Sequence, residues 1–272
     1  MITRSWASRE FANSVAIRRP VGLAEVTEQA ALRVRVDRKY MVPVDYFGEL
    51  VARLPQRYTV LEIDGRRAFA YESVYFDTPN LLTYRQHLQG RRRRYKVRTR
   101  AYLDTADCAF EVKFNSSRDQ TIKTQLPYRL TDRARITPRA QAFLARQLDQ
   151  AHGQLTPQLS ARVTTSYQRT TLVDLERGTR LTCDVDLVCM GSGRRAVGPA
   201  HHVLVESKSV EPHGDADVLL RRLGLRPVQI SKYCIAVALL FPAVRSNPWH
   251  RTLRRYFTGS FNEQETRFYS SR

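Results

Sequence analysis

Residues 91–103 read RRRRYKVRTRAYL, and so regular an alternation leaves few folds open. Successive side chains of a strand point to opposite faces. Arg92, Arg94, Lys96, Arg98, Arg100 and Tyr102 therefore share one face, while Tyr95, Val97, Thr99, Ala101 and Leu103 share the other. Alone, such a charged face could simply meet water. The design recurs, however. Asp37 and Lys39 share a face in the run 33–42, Glu111 and Lys113 in FEVKF, Lys123 and Gln125 in TIKTQL, and Glu206 and Lys208 in VLVESKS. Phe110, Val112, Phe114, Ile122, Leu126, Val203 and Val205 fall on the opposite faces. A barrel packed by helices on its outside would turn the charged faces inward. Two like charges ~4 Å apart repel by about 4 kcal/mol at an effective dielectric near 20, so closure requires an anion between them. A chain of phosphates supplies one charge per unit and accepts forked hydrogen bonds from arginine. The interleaved carboxylates would orient the cations, or hold Mg²⁺ or Mn²⁺ together with phosphate oxygens.

The remainder of the chain fits that architecture. Pro43 opens a helix over 44–54, residues 67–77 alternate as a strand, and a short helix over 81–89 stops at Gly90. Strands follow at 91–103, 108–115 and 119–128, then an amphipathic helix over 138–150. Residues 158–176 and 179–190 form a hairpin about Arg177-Gly178, and 191–200 read as a Gly-rich loop. A strand over 202–210 and helices over 214–223 and 231–241 complete the pattern, with a peripheral helix over 249–257. The expected class is α+β, an antiparallel eight-stranded β-barrel with flanking helices. Residues 1–30 read as an N-terminal extension, 31–244 as the barrel domain and 245–272 as a basic tail.

Charge narrows the partner. The chain carries 45 Lys+Arg against 26 Asp+Glu, net +19, which favours a polyanion without choosing which. Residues 1–30 hold no apolar run of signal-peptide length, and the longest apolar stretch, Cys234 to Val244, is interrupted by Pro242 and falls short of a membrane helix, so a cytoplasmic protein is expected. Cys108, Cys183, Cys189 and Cys234 show no CxxC spacing and read as buried free thiols, Cys183 and Cys189 on one face of their strand. Nucleic acid is not the expected partner, because Tyr95, Phe110 and Phe114 lie opposite the basic face rather than offering stacking surfaces on it.

RKYMV (38–42), YFDTPNL (75–81), KVRTRAY (96–102), FEVK (110–113), IKTQLPY (122–128), SYQRT (166–170), CDVDL (183–187), VESK (205–208) and ISKY (230–233), in this order, resemble the VTC domain of polyphosphate polymerases, within the CYTH and triphosphate-tunnel superfamily. The resemblance runs from about Arg33 to Phe241. It implies a tunnel that binds a nucleoside triphosphate and inorganic polyphosphate, with Mn²⁺ or Mg²⁺ as cofactor. It implies phosphate-binding cations at Lys39, Arg98, Arg100, Lys113, Lys123, Arg169 and Lys232, and a metal-binding carboxylate at Glu206. Lys208 on the face of Glu206, and Arg94 and Lys96 from the basic row, join as substrate-binding residues. The superfamily's ExExK appears here as Arg35-Val36-Asp37-Arg38-Lys39, with one acid.

The activity this implies is transfer of a γ-phosphate onto a polyphosphate chain. Such transfer depends on positioning and charge neutralisation, and an ionised phosphate acceptor needs no general base. That agrees with the lack of an evident Ser/His/Asp or Cys/His constellation. The rival readings are an inorganic triphosphatase of the same fold, and a non-enzymatic module binding polyphosphate or nucleic acid.

Overall fold

The computed structural model describes residues 6–29, 36–115, 121–153, 156–211 and 213–259. The elements, in chain order, are α1 (Trp6–Ala16), β1 (Pro20–Val21), α2 (Leu23–Gln29), β2 (Val36–Pro43), α3 (Val44–Arg53), β3 (Thr59–Leu61), β4 (Phe69–Asp77) and α4 (Leu82–Leu88). They continue with β5 (Tyr95–Tyr102), β6 (Asp107–Asn115), β7 (Thr121–Tyr128), α5 (Pro138–His152), β8 (Ser160–Asp174), β9 (Thr179–Gly191), β10 (Arg194–Val197), β11 (His202–Ser209), α6 (Asp215–Arg222), α7 (Lys232–Leu240) and α8 (His250–Tyr256). The long strands pair antiparallel and helices flank them, which is the α+β class expected. Among the described residues the hydrogen-bonded strand path ends at β2 and β7.

The chain divides into two compact units. The first comprises residues 1–70, 167–187 and 198–229. Its strands run β2-β11-β9 in antiparallel register, Glu206 opposite both Lys39 and Thr182. Tyr40, Val42, Leu181, Cys183, Val203 and Val205 project from one face of these strands into a core with Phe47, Leu50 and Val51 of α3 and Ala216 and Leu220 of α6. Phe11 and Val15 of α1 enter the same core, Phe11 stacked on Phe47 at 5.2 Å. Residues 6–16, read from the sequence as part of an extension, are thus built into this unit.

The second unit comprises residues 71–166, 188–197 and 230–272. Its strands run β4-β5-β6-β7. Val74, Phe76, Tyr95, Val97, Phe110, Val112 and Phe114 form one face, packed on Ala140, Leu144 and Leu148 of α5. That helix starts as its sequence dictates: the Thr137 hydroxyl accepts from Ala140 N, Pro138 takes the first turn, and Gly153 closes it with φ +59°. Tyr95, Phe110 and Phe114 are core residues, as expected.

Local corrections follow from turn chemistry. The basic strand begins at Tyr95, not Arg91: Gly90 (φ +61°) turns the chain, Arg91 N donates to Gln86 O and Arg94 N to Arg92 O, so Arg92 and Arg94 precede the alternation. The expected loop 191–200 contains β10, which pairs with the end of β9. Asp186, with φ +53°, marks where β9 changes partner, from β11 at Arg180–Asp184 to β10 at Val188–Gly191. Strand alternation between Cys183 and Cys189 is broken there, although all four cysteines are free and buried. The expected starts at 33–35 and 119–120, and the tail beyond 259, lie outside the described residues. No described helix is long and apolar enough to cross a membrane.

Candidate phosphate-binding faces

In the second unit the face opposite the core carries the charge. Lys96 lies directly across from Lys113, and Lys113 directly across from Lys123. Three ammonium-bearing residues thus occupy one rung of three adjacent strands, an arrangement in which like charges destabilise the sheet. The next rung is Arg98, Glu111 and Gln125. Arg98 Nε donates to Glu111 Oε2 at 2.8 Å, and Arg98 Nη1 donates to the Tyr75 hydroxyl at 3.2 Å. Lys123 Nζ reaches Glu111 Oε1 at 3.5 Å and Gln125 Oε1 at 3.0 Å. Arg100 follows one rung further, its guanidinium 5.8 Å from the centre of the Tyr71 ring.

Glu111 is 1% exposed. Burial alone would raise its pKa, but Arg98, Arg100 and Lys123 outweigh it and hold the carboxyl well below the usual carboxylate range. A depressed carboxylate contributes stability above its unfolded pKa, near 4.3, and loses that contribution as pH falls toward the folded value. Glu111→Gln is therefore expected to flatten the acid limb of the unfolding curve below about pH 4 while lowering stability at neutral pH. Thermal melts across pH 2–7 read this, and an unchanged acid limb would contradict it. His87 reports the same crowd of cations. Burial, then Lys96 and Arg94, push its pKa down to about 2, and its Nε2 lies 3.2 Å from Tyr95 O.

Lys232 opens α7 in this unit, where Ser231 caps the helix by accepting from Cys234 N. Its neighbour Tyr233 donates to Asp77 and stacks on Tyr75 at 5.0 Å. Asp77 is fully buried and also accepts from Thr78 N, Thr83 N, Thr83 Oγ1 and Tyr84 N. This hub ties the start of α7 to the end of β4. An ammonium beside a helix N-terminus is suited to an anion.

The first unit carries a smaller charged face. Lys39 Nζ lies 3.2 Å from Glu206 Oε1, and Lys208 Nζ 3.6 Å from Glu206 Oε2. Thr182 Oγ1 donates to Glu206 Oε2 at 3.4 Å. Asp37 and Arg180 stand opposite Lys208 on its two sides. Arg38 turns to the other face, toward Asp217 of α6, to which the Tyr40 hydroxyl also donates at 2.8 Å. The middle of the Asp37-Arg38-Lys39 motif is thus structural.

Arg169 is placed differently from the other expected cations. It is 8% exposed, and its fork is engaged bidentately by Asp184, Nε to Oδ1 at 2.6 Å and Nη2 to Oδ2 at 2.8 Å. Asp186, further along the same strand, accepts from the Ser8 hydroxyl. Among the described residues no group of three or more His, Cys, Asp or Glu side chains could hold a metal by itself. A lone carboxylate fits Mg²⁺ or Mn²⁺ in the mode where phosphate oxygens and water complete the shell.

Lys96, Arg98, Arg100, Lys113 and Lys123 therefore come together on one face, and Lys39, Glu206 and Lys208 on another. Arg94 sits in the turn before β5, donating to Arg91 O at 2.7 Å. Tyr71 and Tyr75 were missed by sequence reasoning. The alternation in YESVYFD carries the signal, since Tyr75 and Ser73 pair with Arg98 and Arg100.

The VTC domain family profile matches residues 34–241. The chain belongs to the VTC domain family. No curated protein matches the sequence. Among solved structures, this VTC chain is similar to a candidate adenylate cyclase from Vibrio parahaemolyticus, at 13% identity and TM-score 0.45, covering 76% of this chain and 98% of that one. It is also similar to a candidate adenylyl cyclase from Hippeastrum with a dominant triphosphatase activity, at 14% identity and TM-score 0.45, covering 75% and 96%. A Pyrococcus horikoshii OT3 protein matches at 12% identity and TM-score 0.40, covering 76% and 98%. At such identities and scores neither substrate nor activity transfers from these proteins to the VTC chain.

Proposed function

We propose that this VTC domain is a polyphosphate polymerase-type phosphotransferase, moving the γ-phosphate of a nucleoside triphosphate onto a polyphosphate chain. The observation that carries the reading is the Lys96–Lys113–Lys123 rung, whose mutual repulsion a bound polyanion would relieve. Arg98, oriented by Glu111 and the Tyr75 hydroxyl, offers a fixed guanidinium for phosphoryl oxygens, and Arg100 extends the row. Lys232 adds an ammonium at a helix N-terminus. Lys39 and Lys208, held beside Glu206, bind phosphate in the first unit, and Glu206 is the residue that would hold a divalent metal. That metal, Mn²⁺ or Mg²⁺, would supply neutralisation of charge on phosphate oxygens.

In the reaction a terminal phosphate oxygen of the chain forms a bond to the γ-phosphorus. The bond from that phosphorus to the bridging β–γ oxygen breaks, and the nucleoside diphosphate leaves with the electron pair. The attacking oxygen is already ionised, so the residues' work is to align the two phosphates and stabilise the equatorial oxygens. Incubation of the purified protein with ATP and Mn²⁺, followed by gel analysis, tests this: long-chain polyphosphate is expected. Free phosphate without polymer would support a triphosphatase instead.

Removing one lysine of the rung should act with opposite signs on the free and bound protein. Lys113→Met is expected to leave the free protein as stable or slightly more so, by about 0.2–1 kcal/mol, because one unfavourable cross-strand neighbour is gone. It should also reduce the stabilisation conferred by triphosphate. Differential scanning with and without ligand reads both, and a variant that loses stability yet keeps its ligand response would contradict the assignment.

A further inference from the structure

Arg91, Arg92 and Arg93 lie outside the machinery described above, yet they do not form a loose run. Gly90 N donates to His87 O and Arg91 N to Gln86 O, which pins the turn to the end of α4. Arg91 Nε donates to Gln89 Oε1 at 3.0 Å. These arginines, with Arg85, Gln86 and Gln89, line a concavity of about 420 Å³ that has four guanidiniums and no carboxylate in its lining. Arg85 and Arg91–Arg93 are exposed. The concavity opens beside the start of β5: Lys96 is three positions after Arg93, at most ~11 Å of backbone, and Arg94 and Tyr95 lie between. The basic turn therefore lies within that contour length of the lysine rung.

We infer that this arginine-lined concavity is an outer subsite for inorganic polyphosphate, engaging the part of a long chain that extends past the Lys96–Lys113–Lys123 rung. The inference rests on the proposed function. The ligand class follows from chemistry: exposed guanidiniums suit successive phosphate oxygens, and the two glutamine amides add neutral donors. A single-stranded nucleic acid would call for aromatic side chains on which bases stack, and the lining has none. Triphosphate is too short to need this subsite once held by the rung, so the subsite makes binding depend on chain length.

The test compares R91Q/R92Q/R93Q with wild type and with R251Q/R254Q/R255Q, which removes the same charge from α8. Affinities for triphosphate, long-chain polyphosphate and single-stranded RNA are measured over a salt series. Loss of three phosphate contacts at roughly 0.7 counterions each predicts a salt slope for long-chain polyphosphate smaller by about two, with affinity lower by about tenfold or more at low salt. Triphosphate affinity should stay within about twofold, and the α8 variant should change little. An equal loss in the α8 variant, an equal loss for triphosphate, or a larger loss for RNA than for polyphosphate would overturn the subsite. Wild-type protein that binds long-chain polyphosphate but not triphosphate would overturn the proposed function, and loss of that polyphosphate affinity in R91Q/R92Q/R93Q alone would still sustain the arginine subsite. Wild-type protein that binds neither would overturn both.

Discussion

Glu206→Gln should lower turnover by orders of magnitude while leaving triphosphate binding intact or tighter. The substitution keeps the size of the side chain and its ability to accept from Thr182, and it removes the charge between Lys39 and Lys208. Those two ammoniums then face the phosphates without a competing carboxylate, so ground-state binding is preserved. Charge neutralisation at the transition state is what is lost, and each factor of ten in rate corresponds to about 1.4 kcal/mol of barrier. A kcat reduced about a hundredfold or more with Kd unchanged or lower is the expected split. Wild-type turnover would show that Glu206 has no part in the chemistry, and a proportional fall in affinity would reassign it to binding.

Arg169→Ala should instead be felt mainly in stability. Arg169 and Asp184 are both under 10% exposed and bonded through two parallel N–H···O contacts. Breaking a buried pair by removing one partner leaves an uncompensated charge and typically costs about 3–5 kcal/mol. For a domain of this size that corresponds to a melting shift on the order of ten degrees. Replacing both partners with apolar residues should recover much of the loss, since the remaining charge is then absent as well. A melting shift of only a degree or two, accompanied by lost triphosphate binding, would return Arg169 to the phosphate-binding set.

That contrast marks where the sequence was readable and where it was not. The alternation in 95–102 was legible because strand periodicity alone sorts Lys96, Arg98 and Arg100 from Val97 and Ala101, and the same holds for Glu111 and Lys113. Which cations pair internally was not legible, because Arg169–Asp184 and Arg38–Asp217 depend on register and helix placement. The start of the basic strand was misplaced because a run of four arginines continues the pattern in composition while Gly90 ends it in geometry. The core role of α1 was not legible because nothing in WASREFANSVA names the element on which Phe11 and Val15 pack, which is α3 through Phe47.

The central claim, that the charged faces exist to bind a phosphate chain, is tested most directly by melting the protein at ~150 mM salt with triphosphate, long-chain polyphosphate, duplex DNA and RNA side by side. A ligand that binds only the folded state adds about 2.7 kcal/mol at a hundredfold excess over Kd, a shift of several degrees at this size. Triphosphate and polyphosphate should each produce that shift, and duplex DNA should produce much less, its contribution fading as salt rises. Equal stabilisation by duplex DNA and by triphosphate would contradict the account and assign the basic faces to nucleic acid.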